Sequence, residues 1–333
     1  MKVGLYLATQ FTPDTPLGPQ PANLVEQVRA ARANGFSSLW AAQHFLTAPV
    51  QMLQTMPLLA RLLPEAEGMQ IGPNILVFPA LNPVLVAEEA ATMDWLSDGR
   101  FVLGLGLGYR DEEYTAFGVS LRHRAERLEE GVELARRLWT EDRVTHRGKH
   151  FTVEDAGLAL RPKQQGGPPV WIAAVVEKAI ERAATLGDEW LITFYPTVKT
   201  LGTQLARYRE VRAAAGLPAA VDYPLCRECH VGASMAGALD AVRGPLGYKY
   251  AAYASWGQDD ILDTEDRFDQ PFDDFHPDRF LIGDEAWVKD EIERYRDALG
   301  VRHFIMRMQW PGLEQKRVLE SIERLGRIVA SIR

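Results

Sequence analysis

A (β/α)8 barrel with insertions, built as one domain over residues 1–333, is the fold that this sequence predicts. Three observations lead there. Short β-prone runs alternate with helical patterns along the whole chain, as in βα units of a parallel sheet. Eight such strands can be read, each followed by a helix, and that number closes into a barrel more naturally than it spreads as an open sheet. The sequence itself shows no 20–50-residue repeat, so the alternation is not a solenoid.

The first strand is read at 3–8, and its helix at 21–34 stops at Gly35. The second strand is 38 with its neighbours (37–41), followed by a helix over 51–63. The third is 70–78, and a helix over 83–96 opens on Pro83, where a missing N–H costs nothing. The fourth strand is 101–107. In the long helix 121–139, Leu121, Ala125, Leu128, Val132, Ala135 and Trp139 form one apolar stripe at steps of three and four. A small excursion at 145–153 and a Pro/Gly-rich stretch at 162–169 lead to the fifth strand, 170–174. The helix 177–186 stops at Gly187, and strands six and seven are 189–194 and 223–231. A helical pattern over 235–253 gives way to an acidic, aromatic-dotted stretch at 255–283, read as a lid without regular structure of its own. A helix at 284–299, strand eight at 302–309 and a closing helix at 314–332 complete the chain.

Composition removes several functions. The 333 residues are 47% hydrophobic and 25% charged with a net charge of −8, and their basic residues are interleaved with acids. Nucleic-acid binding needs clustered Lys and Arg, so it is not expected. No apolar run approaches the ~20 residues of a membrane span, and the start of the chain has no signal-peptide pattern, so a cytoplasmic enzyme acting on a small molecule is expected. Cys226-Arg227-Glu228-Cys229-His230 matches a haem-attachment pattern, but it lies in a strand that would send the two thiols to opposite faces. Ordinary strand cysteines are the reading adopted. Metal-ligand spacings and a serine-hydrolase elbow are both missing from the sequence.

Active sites of such barrels lie at the C-terminal strand ends. Those ends carry Gln10 and Phe11, Gln43 and His44, Asn74, Leu107 and Tyr109, Val175, Phe194, and residues 307–310. A lone histidine is more often structural, but His44 stands on a strand-end loop where a neutral imidazole can move a proton near neutral pH. Gly104-Leu105-Gly106-Leu107-Gly108 lacks dinucleotide-binding register and is read instead as a flat patch beside a ligand.

The block Pro83 to Gly106, with Leu96-Ser97-Asp98-Gly99-Arg100 at its centre, resembles the signature of the bacterial-luciferase-like flavin-dependent family. Gly35-Phe36, Gln43-His44-Phe45, Trp139-Thr140 and Trp310-Pro311-Gly312 fall in matching order, so the resemblance covers essentially the whole chain. It implies a barrel that binds FMN or a 5-deazaflavin coenzyme at the strand ends. It also implies His44 as the active-site histidine and a non-proline cis peptide at Asn74-Ile75. Leu107 and Tyr109 would line the cofactor, Ala174, Val175 and Val176 would face its phosphate, and Phe194 would flank its rings. Substrate contacts are expected from Gln10, Phe11, Gln43, Phe45, Tyr195 and Trp256. Two departures stand out: Gln43 replaces a common acid, and Ala174-Val175-Val176 replaces a hydroxyl-rich phosphate loop.

The resemblance thus points first to a monooxygenase using dissociable reduced FMN, supplied by a separate flavin reductase, on a small apolar substrate. A deazaflavin-dependent oxidoreductase and a catalytically silent flavin-binding protein are its alternatives. A homodimer is also implied, with the 121–139 stripe and exposed apolar residues of 83–96 offered as its face.

Overall fold

The computed structural model describes residues 1–255, 267–268 and 270–332. Eight parallel staves surround one axis: β1 (Lys2–Leu7), β2 (Ser38–Ala41), β3 (Gln70–Pro73), β4 (Leu103–Gly106), β5 (Val170–Ala174), β6 (Glu189–Ile192), β7 (Leu225–Val231) and β8 (His303–Arg307). Stave β3 resumes after a break as Leu76–Val77 and there pairs with β4, while β8 pairs with both β7 and β1 and closes the ring.

Helices between the staves follow the expected order. We label the outer ones α1 (Gln20–Ala33), α2 (Thr55–Leu62), α3 (Pro83–Leu96), α4 (Arg124–Thr140), α5 (Glu177–Leu186), α6 (Val198–Ala214), α7 (Glu285–Leu299) and α8 (Gln315–Ser331). Helix α3 starts where Asn82 accepts a hydrogen bond from the Val84 N–H and Pro83 fills the first position. Helix α7 runs from the Asp284 cap to Gly300, whose φ of 78° closes it in the left-handed conformation.

Several sequence expectations need correction. Residues 51–52 form a short strand paired antiparallel with Gln10–Phe11, and the helix expected from 51 begins at Thr55. The described part of 255–283 is not structureless: it holds a helical turn, Phe272–Phe275, and a strand, Leu281–Gly283, that pairs with β7. Phe268 and Phe275 are buried against Tyr250, so aromatic burial rather than solvation organises this part. Trp256, with residues 257–266 and 269 of the proposed lid, lies outside the described residues.

The α4 stripe is also unavailable as a dimer face, because Leu128, Val132, Ala135 and Trp139 are buried in the chain's own core. Leu85, Trp95 and Leu96 of α3 do remain exposed. Among the described residues, no helix is long and apolar enough to cross a membrane.

Two tryptophans fill the barrel floor. Trp40 stacks on Trp171 with ring centroids 5.0 Å apart, and His303 packs edge-on against Trp171. Burial holds the His303 imidazole down to about 3, so it stays neutral. Its Nε2 meets the Ser38 hydroxyl, which in turn accepts from Trp40 Nε1. These rings fill the lower barrel, and its interior opens at the C-terminal strand ends.

Candidate active site

A cavity of about 270 Å³ occupies that end. Its wall includes His44, Asn74, Ile75, Leu107, Tyr109, Ala174, Val175, Val176, Phe194, Tyr195 and Gln43, so residues from five strand ends meet at one place. Gln10 and Phe11 line a smaller adjoining pocket that shares Tyr6, Ala42, Tyr253 and Arg307 with the first. Phe45 lines neither: its ring meets Phe117 edge-on and its N–H donates to Glu113.

The peptide between Asn74 and Ile75 is cis. It sits in the break of β3, and the neighbouring strand is shaped around it. A Cβ on Gly106 would lie 2.8 Å from the Ile75 side chain, so only glycine leaves room there. Gln43 holds the same segment from the other side. Its backbone N–H donates to Ile75 O and its side-chain Oε1 accepts from Val77 N at 3.0 Å. Although Gln43 lines the cavity, its amide oxygen is engaged with backbone.

His44 acquires its carboxylate from elsewhere. The turn after β4 brings Glu113, fully buried on the short helix Asp111–Ala116, to 2.9 Å from His44 Nδ1. Glu113 Oε1 also accepts from Phe45 N, and the Arg110 guanidinium lies 3.6 Å away. Arg110 is itself held by the Phe45 and Leu46 carbonyls. With the Nδ1 proton directed at a carboxylate, the imidazole lone pair resides on Nε2. The ring packs against Tyr109, whose hydroxyl is driven above its ordinary range by burial.

A second polar group lies beneath the cavity. Glu228 of β7 is fully buried and receives Lys249, Tyr250 (3.0 Å) and Trp310 Nε1 (2.6 Å), with Arg307 of β8 at 3.6 Å. Despite burial, Glu228 stays below its ordinary range because Lys249 and Arg307 face it. Burial, reinforced by Arg307, pushes the Lys249 ammonium down to about 7. The Arg307 guanidinium packs 4.2 Å from the centroids of both the Tyr6 and Phe194 rings, which meet each other edge-on.

Cys226 and Cys229 are both buried free thiols of β7, with Cys226 in the cavity wall accepting from Asn74 Nδ2. Burial pushes Cys226 up to about 12 and holds His230 down to about 4. At the surface, His123, Glu126 and His150 bring possible ligand atoms within 4.8 Å of one another, with Lys149 already paired to Glu126.

The luciferase-like monooxygenase family model matches residues 1–303. The chain belongs to that family. Over 185 residues it is 35% identical to an F420-dependent glucose-6-phosphate dehydrogenase of Amycolatopsis mediterranei, a match covering 52% of this chain and 54% of that protein. The chain therefore spans only about half the length of the first such relatives. A protein of the same description from Intrasporangium calvum is 28% identical over 322 residues, covering 90% of this chain and 92% of the relative. The alkanal monooxygenase alpha chain of Photorhabdus luminescens is 24% identical over 256 residues, 77% of this chain and 71% of that one.

Among solved structures, a monooxygenase from Streptomyces bottropensis superposes with a TM-score of 0.87 at 20% identity, over 100% of this chain and 99% of that one. An F420-dependent secondary alcohol dehydrogenase in complex with an F420-acetone adduct gives 0.79 at 20%, with the same coverages. These likenesses establish the barrel fold, and the named relatives are themselves oxidoreductases.

Proposed function

We propose that this luciferase-like chain is a deazaflavin-dependent oxidoreductase that dehydrogenates a small hydroxyl compound. The His44–Glu113 pair carries the reading: a buried carboxylate fixes one imidazole nitrogen as donor and leaves the other as a base in the cavity wall. Removal of hydride from an alcohol carbon requires a partner for the hydroxyl proton, and His44 supplies one. The relatives named for F420-dependent dehydrogenation support the same choice over the FMN monooxygenase preferred from sequence.

The cavity suits a flat ring system. Gly106 and Gly108 present no side chain to it, Ile75 bulges from the β3 break, and Phe194 forms the facing wall. The first-turn N–H groups of α5 after Val176, together with Arg124 in the cavity wall, would hold the phosphate. When bound, the deazaflavin supplies a two-electron hydride acceptor. His44 takes the hydroxyl proton at Nε2, Glu113 stabilises the imidazolium, and Tyr109 with the apolar wall keeps water out.

A second reading rests on that apolar wall. Ile75, Val77, Leu107, Val175 and Val176 would shelter reduced FMN from water, and a phosphate loop without hydroxyls suits a cofactor delivered by a separate reductase. Oxidised F420 mixed with a panel of secondary alcohols and hydroxy acids tests the proposal. Bleaching of the deazaflavin that depends on His44 supports it. Oxygen consumption with reduced FMN, and no deazaflavin bleaching, overturns it.

A further inference from the structure

The pocket adjoining the main cavity, about 40 Å³ in volume, holds polar atoms that the dehydrogenase reading has not used. Thr9 Oγ1, Gln10 Nε2 and Arg307 Nε are each buried and lack a partner among the described residues. Thr9 is 2% exposed and Arg307 6%, so neither side chain reaches bulk solvent. All three can donate a hydrogen bond. Tyr253 links two of them: its hydroxyl donates to Gln10 Oε1 at 3.3 Å and accepts from Arg307 Nη1 at 3.4 Å.

Charge points the same way. Arg307 and, when protonated, Lys249 bring positive charge to the single carboxylate of Glu228, and a bound anion favours that protonated form, while burial keeps Tyr6, Tyr250 and the Cys226 thiol neutral. Two opposite corners of the chemistry therefore match one ligand. The donors need an acceptor-rich group, and the charges leave room for one negative charge. The volume, at ~10–15 Å³ per water-sized position, takes roughly three heavy atoms.

We propose that this pocket seats the carboxylate of the substrate, so that the compound oxidised beside His44 is a small hydroxycarboxylate. The assignment rests on the dehydrogenase reading for the hydroxyl and on the pocket alone for the carboxylate. Arg307 and Tyr6 line both spaces, so a substrate anchored by its carboxylate extends from the pocket into the cavity that His44 lines. The guanidinium, packed against both Tyr6 and Phe194, sets the orientation of the anion before any ligand arrives.

The test uses the full chain with acetate, its uncharged isostere acetamide, and inorganic phosphate, titrated by calorimetry at constant ionic strength. Charge-assisted hydrogen bonding predicts acetate to bind at least about tenfold tighter than acetamide, with phosphate no better than acetate. Arg307→Met should erase the difference. Thr9→Val, nearly isosteric and mild for folding, should weaken acetate a few-fold while circular dichroism stays unchanged. Equal affinity for acetate and acetamide in the parent overturns the pocket, as does tighter binding of phosphate. If Arg307→Met abolishes F420 binding but leaves acetate affinity intact, Arg307 serves the cofactor and the proposal fails. Acetate selectivity in a protein that never bleaches F420 keeps the pocket and removes only the dehydrogenase reading.

Discussion

Glu113→Gln separates the roles of charge and shape in the His44 pair. Glutamine matches glutamate in size, so the short helix and the Phe45 contact survive. Glu113 Oε1 accepts from both His44 Nδ1 and Phe45 N. A charged acceptor contributes about 1.5–3 kcal/mol per bond against about 0.5–1.5 for a neutral one, so the two bonds together lose roughly 2–3 kcal/mol. The larger effect is on the proton. Where glutamine turns its amide toward His44, Nδ1 becomes the acceptor, the proton moves to Nε2 and the base disappears. Lost general-base help corresponds to a drop in turnover on the order of 10²–10⁴. Stopped-flow bleaching of F420 should show that loss in kcat, with the KM for F420 within about twofold because Glu113 does not line the cavity. Unchanged kcat in a folded variant refutes the reasoning and returns His44 to a structural role.

Lys249→Met should flatten a pH dependence. The ammonium is held near 7 against an ordinary 10.5, so between those values the unfolded chain binds more protons and parent stability rises with pH. Urea midpoints at pH 7 and pH 9 should therefore rise in the parent more than in the variant. Gly106→Ala places a methyl 2.8 Å from Ile75 and should cost about 1–3 kcal/mol in urea unfolding while weakening F420 binding. Neither cysteine should react with a thiol reagent in the folded chain, because burial holds both thiols above their ordinary range; prompt labelling of one equivalent would show that the β7 wall opens.

Most of the barrel was legible because strand and helix periods differ and the staves alternate cleanly with amphipathic helices. Strand ends came within a few residues of those observed, which suffices to gather Asn74, Leu107, Val175 and Phe194 on one cavity. The strand Leu281–Gly283 escaped because three apolar residues beside an acidic stretch carry no readable period. Glu113 escaped for a different reason. It is one of three consecutive acids, Asp111, Glu112 and Glu113, and only the turn after β4 decides which of them meets His44. Gln43 suggested a missing carboxylate, whereas the acid comes from position 113 and Gln43 braces the β3 break. Lys249 escaped as well, because its partner Glu228 lies 21 residues away on a strand.

The pairing between β6 and β7 amounts to one register position, Ile192 with Leu225. Above it, Arg227 fills the gap. Its guanidinium donates to the carbonyls of Thr193, Phe194, Cys226 and Pro196 and stacks on Tyr295, all without contact with water. The barrel is thus a rolled sheet with a seam, and the seam is buttoned by one side chain instead of a hydrogen-bond ladder. A lysine carries its donors on a single point and could not span four carbonyls. Under mechanical or denaturant stress the wall should part along this line first, splitting the Phe194 side of the cavity from β7 while the remaining staves still hold together.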